Sequence, residues 1–271
     1  MREAASTRPA VEAVAREAIG WLLTGPQVAR LQTPAMVLLD RPLPEPWFAC
    51  ATRLSLEDDA SAQIDSVRAW FRARGRREFF WFVSPETRPL DLAEQLVRNG
   101  AEPDDELTAM ILNREPAGAP TEVDVRRVRS LQEFLAVERI VVEGFGFPAE
   151  MAQQTLAGAE RAWAHWQTET NRLMYLAWVD GVPVAEAGLA RTSAGPMLLS
   201  GGATLPAARG RGAYRALVRA RWDEAVRQGA SELVVQASAM SRPILAHAGF
   251  RAVGTVAMFL DRPGGRRPEE A

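Results

Sequence analysis

Arg209, Gly210, Arg211, Gly212, Ala213 and Tyr214 are the residues whose types and spacing point most directly to chemistry. They follow an apolar run ending at Leu205 and Pro206, and they precede an amphipathic stretch from Ala213 to Arg227. That order predicts strand, glycine turn, helix. The first turn of a helix carries backbone N–H groups with no partner inside the helix, and the macrodipole adds roughly half a positive charge there. Two glycines let the backbone come close to a ligand and take φ > 0 without steric cost. The combination is an anion cradle, with phosphate its usual guest. Arg209 and Arg211 would add charge-assisted contacts; their structural alternative is a solvated surface loop. The turn is not a P-loop, because no Gly-Lys-Ser/Thr follows. It is not the dinucleotide fingerprint either, because Arg215 stands where the third glycine would be.

The elements that must position this turn are legible on both sides. Residues 197–206 read as a strand, and Gly201-Gly202 inside it marks a bulge or a close backbone approach. Residues 232–237 read as a buried parallel strand, 241–248 as a short helix, and 248–251 as a Gly-Phe turn. Upstream come a strand at 123–128, a helix at 131–143, a loop at 144–148 and a helix at 149–166. Strands at 173–179 and 182–190 flank Asp180-Gly181, a hairpin signal. The first half shows a helix at 9–23, strands at 35–40 and 47–53, and a helix at 60–74. A strand at 78–83, a helix at 89–98 closed by Asn99-Gly100, and a strand at 107–112 complete it. Residues 113–121 hold two prolines and a glycine and read as a linker. Strand 81–85 and helix 92–101 mirror strand 233–237 and helix 244–250, so the halves repeat one plan.

The glycine turn resembles R/Q-x-x-G-x-G/A, the acyl-CoA pyrophosphate loop of the GNAT superfamily of acetyl-CoA-dependent N-acetyltransferases. Arg209 and Gly212 fit the first and fourth positions; Tyr214 departs from the Gly or Ala usual at the sixth. The resemblance covers residues 120–262. It implies an α/β (mixed α+β) fold of two tandem GNAT-like domains, 1–115 and 116–271. Each would be a mixed, mostly antiparallel sheet flanked by helices, with a splayed parallel strand pair in the C-terminal copy. By position, it assigns main-chain groups at Ala203, Thr204 and Leu205 to the pantetheine arm and to an oxyanion donor. Arg209, Gly210, Arg211, Gly212, Ala213 and Tyr214 would hold the pyrophosphate. The first copy has Leu56, Glu57, Asp58 and Asp59 where a glycine loop would lie. Three adjacent carboxylates repel a pyrophosphate, so that copy is read as a structural or lid element.

The resemblance implies acetyl transfer from acetyl-CoA to a primary amine of a small molecule or peptide, by direct attack in a ternary complex. The alternative is a non-catalytic acyl-CoA-binding sensor or interaction protein on the same fold. Favouring it, the family's Glu is missing between Met197 and Leu205, Leu245 replaces the usual Tyr, and Ser241 replaces a frequent Asn. The substitutes are Glu186, a charge in an apolar strand whose burial would raise its pKa, and Ser238, placed to assist a leaving thiol. Their structural alternatives are a solvent-facing strand position and a helix cap. Glu143 and His247 read as surface residues. Trp163, Trp166 and Tyr175 would line an acceptor pocket or pack the core.

Composition bounds the rest. The 271 residues suffice for one large domain or two small ones, and the net charge of −2 has no basic block, so nucleic acid is not an expected partner. All 32 basic residues are arginine. No run of eighteen apolar residues predicts a membrane span, and no signal-peptide core is seen, so the expectation is cytoplasmic. Cys50 is alone in an apolar stretch and reads as buried. Two histidines and one cysteine give no metal-ligand spacing. The sequence leaves the oligomeric state open.

Overall fold

The computed structural model describes residues 9–118 and 122–264. The end of the linker read at 113–121 therefore lies outside the described residues. The first half carries α1 (Val11–Arg16), β1 (Ala29–Gln32), β2 (Val37–Asp40), β3 (Ala49–Thr52), α2 (Ser61–Arg72), β4 (Phe79–Val83), α3 (Leu92–Arg98) and β5 (Glu102–Leu112). The second carries β6 (Asp124–Arg127), α4 (Leu131–Phe145), α5 (Ala149–Thr168), β7 (Arg172–Val179), β8 (Val182–Arg191), β9 (Met197–Thr204), α6 (Ala213–Arg227), β10 (Leu233–Ala237), α7 (Arg242–His247) and β11 (Arg251–Asp261).

The strands form one sheet in the order β1-β2-β3-β4-β11-β5-β10-β9-β8-β7-β6. The pairs β3/β4 and β9/β10 are parallel, and the other named pairs are antiparallel. The last strand of each half sits in the territory of the other. β11 pairs with β4, and β5 pairs with β10. Side chains follow the exchange. Phe259 of β11 packs with Ile64 and Leu96 of α2 and α3, while Met110 and Leu112 of β5 pack with Leu217 and Leu245 of α6 and α7. Asp261 locks the end of β11: its carboxylate, 1% exposed, accepts from Trp81 Nε1 at 2.8 Å and from Arg68 Nε at 3.0 Å.

Strand alternation sorts the layers. Along β5, Met110 and Leu112 face α6 and α7, whereas Ala109 and Ile111 face the opposite cluster beneath α1. α2, α3, α6 and α7 thus cover one face, and α1, α4 and α5 the other. α4 begins with a capping box, in which Ser130 accepts from Glu133 N–H and the Glu133 carboxylate accepts from Ser130 N–H. The Asp180-Gly181 hairpin forms with both residues at positive φ, 52° and 76°.

Three elements differ from expectation. β1 has only four residues, Arg30 and Gln32 among them, too short and polar for an alternation signal. β5 begins five residues earlier than predicted because the acidic stretch 102–106, exposed to half-buried, is carried by pairing with β11. The helix expected at 9–23 gives way after Arg16 to a 3₁₀ turn, Ala18–Trp21.

Candidate functional site

Residues 209–214 form the turn into α6. Gly210 and Gly212 take φ of 79° and 85°, a left-handed conformation that a side chain would strain. Gly212 is the N-cap, and no side chain caps the helix, so its first-turn amides lack a side-chain acceptor. Arg209 Nη2 donates to Gly144 O at 3.1 Å, and Arg211 Nη2 pairs with Asp180 at 2.7 Å. Both contacts are exposed, and exposed pairs hold weakly, so each arm can turn to an anion at little cost.

The strand ahead of the turn departs from its neighbours on both sides. β9 pairs with β10 only at Met197/Leu233 and Leu198/Val234, although it runs on to Thr204. Beyond Leu198 the two parallel strands part, and the gap opens toward the start of α6. On the other edge the register slips between Glu186 and Gly188, opposite Gly201 and Gly202 at φ 63° and 124°. The bulge shifts side-chain parity: Leu198 and Ser200 face the α1/α4/α5 side before it, and Ala203 does so after it.

Glu186 holds this bulge. Its Oε1 accepts from Gly202 N–H and Ala203 N–H, both at 3.0 Å, and the residue is 4% exposed. Burial raises its pKa, and the two amides partly offset that. The solvent-facing alternative for Glu186 is thereby removed. Of the main-chain groups expected at Ala203, Thr204 and Leu205, two amides are already paired. Ala203 N–H is spent on Glu186, and Leu205 N–H donates to Val184 O at 2.9 Å. Thr204 lies between them, and by strand alternation its amide faces the β10 side, where the gap is. Tyr214 fills the space beside the glycines; a Cβ on Gly202 would meet its ring at 3.0 Å. Arg221, fully buried behind it, donates from Nη1 to Gly188 O at 3.1 Å.

On the α4/α5 side of the bulge lies a cavity of about 1320 Å³, walled by both halves of the chain. Glu186, Gly188 and Ser200 floor it. Glu138 of α4 faces it, and Glu45 reaches it from the β2–β3 connection of the first half, where Thr155 Oγ1 donates to its carboxylate at 3.0 Å. Burial, then the charges of Glu45 and Glu186, push the Glu138 carboxyl up to about 7. Glu138 was missed in the sequence. Its signal was a carboxylate on the apolar stripe of Phe134, Val137 and Val141. Cys50 also lines the cavity, its buried thiol pushed up to about 12 and hence neutral.

The remaining candidates disperse. Ser238 Oγ lies 3.3 Å from Ser241 Oγ, in the turn before α7. Trp166 lines the cavity, Trp163 packs against Phe134 with the rings tilted at 47°, and Tyr175 faces the opposite core, away from the cavity. Glu143 and His247 are exposed, and Leu245 is fully buried. Among the described residues no cluster of His, Cys, Asp or Glu could hold a metal, and no helix is long and apolar enough to cross a membrane.

No family model and no curated protein matches the chain. Solved structures do. A GCN5-related N-acetyltransferase from Kribbella flavida superposes with a TM-score of 0.68 at 18% identity, over 95% of this chain and 96% of its own. A tandem GNAT protein from the clavulanic acid biosynthesis pathway gives 0.58 at 13% identity, over 96% and 90%. A GCN5-related N-acetyltransferase from Sphaerobacter thermophilus gives 0.55 at 15% identity, over 86% and 82%.

Proposed function

We propose that this chain, which carries the tandem GNAT fold of those structures, is an acetyl-CoA-dependent N-acetyltransferase acting on a primary amine. The carrying observation is the combination, around one strand and its ends, of the uncapped α6 N-terminus, the parted strands β9 and β10, and the carboxylate-lined cavity behind the Gly201-Gly202 bulge. The halves divide at 115/116, and the second half holds acetyl-CoA.

Acetyl-CoA, when bound, supplies an activated thioester: the amine nitrogen forms a bond to the acyl carbon, the carbon–sulfur bond breaks, and the thiol departs. The chain supplies position and proton handling. The amides and arginines of residues 209–214 fit the pyrophosphate. The amide of Thr204, facing the gap, fits the pantetheine arm. Glu138 takes the amine proton, because its carboxyl near 7 is matched to neutral pH. Glu186 keeps the bulge open through Gly202 and Ala203 and adds negative charge that attracts an ammonium. In this reading Glu186 positions, and Glu138 is the base.

Thiol release from acetyl-CoA across an amine panel tests the proposal, together with a thermal shift with acetyl-CoA alone, since a ligand that prefers the native state raises its stability. Binding with turnover supports it. Binding with no release from any amine would instead support an acyl-CoA sensor.

A further inference from the structure

Among the arginines that line the cavity of Glu45, Glu138 and Glu186, Arg76 pairs with Asp40, Arg74 lies over Trp70, and Arg77 and Arg161 are exposed. That leaves Arg41 and Arg172 as the guanidinium groups that the mechanism above does not use. Arg41 follows β2 in the first half, and Arg172 opens β7 in the second; both line the cavity. Among the described residues the Arg41 side chain has no ion pair and no hydrogen bond. Arg172 has one long contact, Nη2 to Ser200 Oγ at 3.4 Å, and its Nε is shielded from solvent with no partner. Its guanidinium also lies 5.5 Å from the Trp166 ring centre, within cation–π range, which offsets part of its charge but supplies no hydrogen-bond acceptor. Glu169 is the carboxylate whose charge acts most on both, but it forms no ion pair with either: its Oε1 accepts from Gly25 N–H at 3.0 Å and lies 3.8 Å from His165 Nε2.

Unpaired guanidinium groups in a shielded site are costly, and the cost is recovered only when an anion arrives. Burial and the nearby Arg41 charge push Arg172 down to about 9, which marks the same deficit. The planar fork of arginine matches a carboxylate in bidentate geometry. The placement is also bipolar. Arg172 reaches over Ser200, which pairs with Gly188, and Gly188 is bare because a Cβ there would lie 2.5 Å from Ser200 Oγ. Glu186 stands two residues along the same strand, about 7 Å away at the rise of a strand. One end of the cavity is therefore cationic and the other anionic, over a span that a short amino acid bridges with a hydrogen bond at each end.

We propose that the acceptor is an amino carboxylate, its carboxylate gripped by Arg41 and Arg172 and its amine turned toward Glu138 and Glu186. This rests on the acetyltransferase reading for the fate of the amine, but not for the grip on the carboxylate. The first half of the chain then contributes Arg41, and the second contributes Arg172, Glu138 and Glu186, to a single acceptor.

Matched pairs test it: phenylalanine against phenethylamine, and leucine against isoamylamine, with aminoethylphosphonate as the phosphonate control. Each is measured both by calorimetric binding to the protein and by thiol release from acetyl-CoA. The expected result is a preference of about 100-fold in binding for at least one amino acid over its decarboxylated partner, lost in Arg41→Gln and in Arg172→Gln, with the acetyl-CoA thermal shift retained in both. Arg-dependent binding of an amino acid without thiol release would sustain the carboxylate grip and overturn the transferase. Efficient release with the plain amines, equal to that with their amino acids, would do the reverse. Tighter binding of the phosphonate than of both amino acids, or a preference that survives in both arginine variants, would overturn the carboxylate assignment.

Discussion

The chain contains two parallel strand pairs in equivalent places, β3/β4 and β9/β10, and they have opposite fates. Each pair begins with two register positions, Cys50/Phe80 and Ala51/Trp81 in one, Met197/Leu233 and Leu198/Val234 in the other. In the second half the strands then part. In the first half they are stitched together again: Arg88 N–H donates to Leu54 O at 3.0 Å, and Leu56 N–H to Arg88 O at 2.8 Å. The helix that follows also differs. α6 opens on two left-handed glycines and no side-chain cap, whereas the turn before α2 carries exposed Glu57, Asp58 and Asp59, and Asp59 Oδ1 accepts from Ser61 N–H at 3.1 Å. A duplicated framework thus keeps an open slot only where both the gap and the helix start stay open. The closed copy is released to supply something else, namely Arg41 and Glu45 on the wall of its sister's cavity.

The sharpest break of this contrast is Gly212→Glu. A carboxylate and a strained φ at the open helix start should weaken acetyl-CoA binding by more than about 100-fold, since anion affinity there depends on bare amides. Titration calorimetry reads it, and undiminished binding would end the loop assignment. Next comes Glu138→Gln, which should lower kcat by about 100-fold with acetyl-CoA binding kept. In the parent, kcat/KM should rise with pH through about 7, as the Glu138 carboxyl loses its proton.

The same residue makes a stability prediction. Its folded pKa is raised, so the folded state binds the extra proton between the usual glutamate value and about 7. Stability due to this group is present at low pH and falls as pH rises through that window. Glu138→Gln should therefore be the more stable protein above pH 7, by up to about 3 kcal/mol, in denaturant melts. A variant less stable than the parent at pH 8 would contradict the placement of Glu138.

The third test sharpens the comparison from the closed side. Replacing Glu57, Asp58 and Asp59 with Gly, Arg and Gly should leave acetyl-CoA stoichiometry at one, because the Leu54–Arg88–Leu56 bonds still shut the gap. A second bound equivalent would show that the acidic turn, and not the stitched strands, closes the first copy. The smallest effect is expected of Ser238→Ala. Its hydroxyl meets only the Ser241 hydroxyl and amide, at 3.3 and 3.4 Å among the described residues, so its loss should cost about 1 kcal/mol or less of stability and leave turnover within a few-fold.

The geometry of the glycine turn and of the strand bulge was legible because its signals are local: Arg209 to Tyr214 and Gly201-Gly202 are contiguous, and glycine at positive φ reads directly. The element order was legible for the same reason, since apolar periodicity is a short-range signal. The proposed acceptor cavity was not. Glu45, Arg41, Glu138 and Arg172 are scattered along the chain, and only the α4/α5 packing and the joined sheet bring them to one cavity. Glu138 was discoverable as a charge on an apolar stripe; Arg41, beside a proline-rich turn, had no such mark. That the amides of Ala203 and Leu205 are already paired was not legible either, because no strand pattern reveals that a neighbouring side chain, Glu186, has claimed one of them.

The exchanged strands have a consequence for how this molecule comes into being. β4 must wait for β11, the last strand of the second half, before its free edge is covered and Asp261 reaches Trp81 and Arg68. During synthesis the leading half therefore stays unfinished, and a break in the connecting segment need not separate the pieces, since each retains a strand the other requires. The chain folds as one clasped unit, and two independently expressed fragments would have to find each other to become whole.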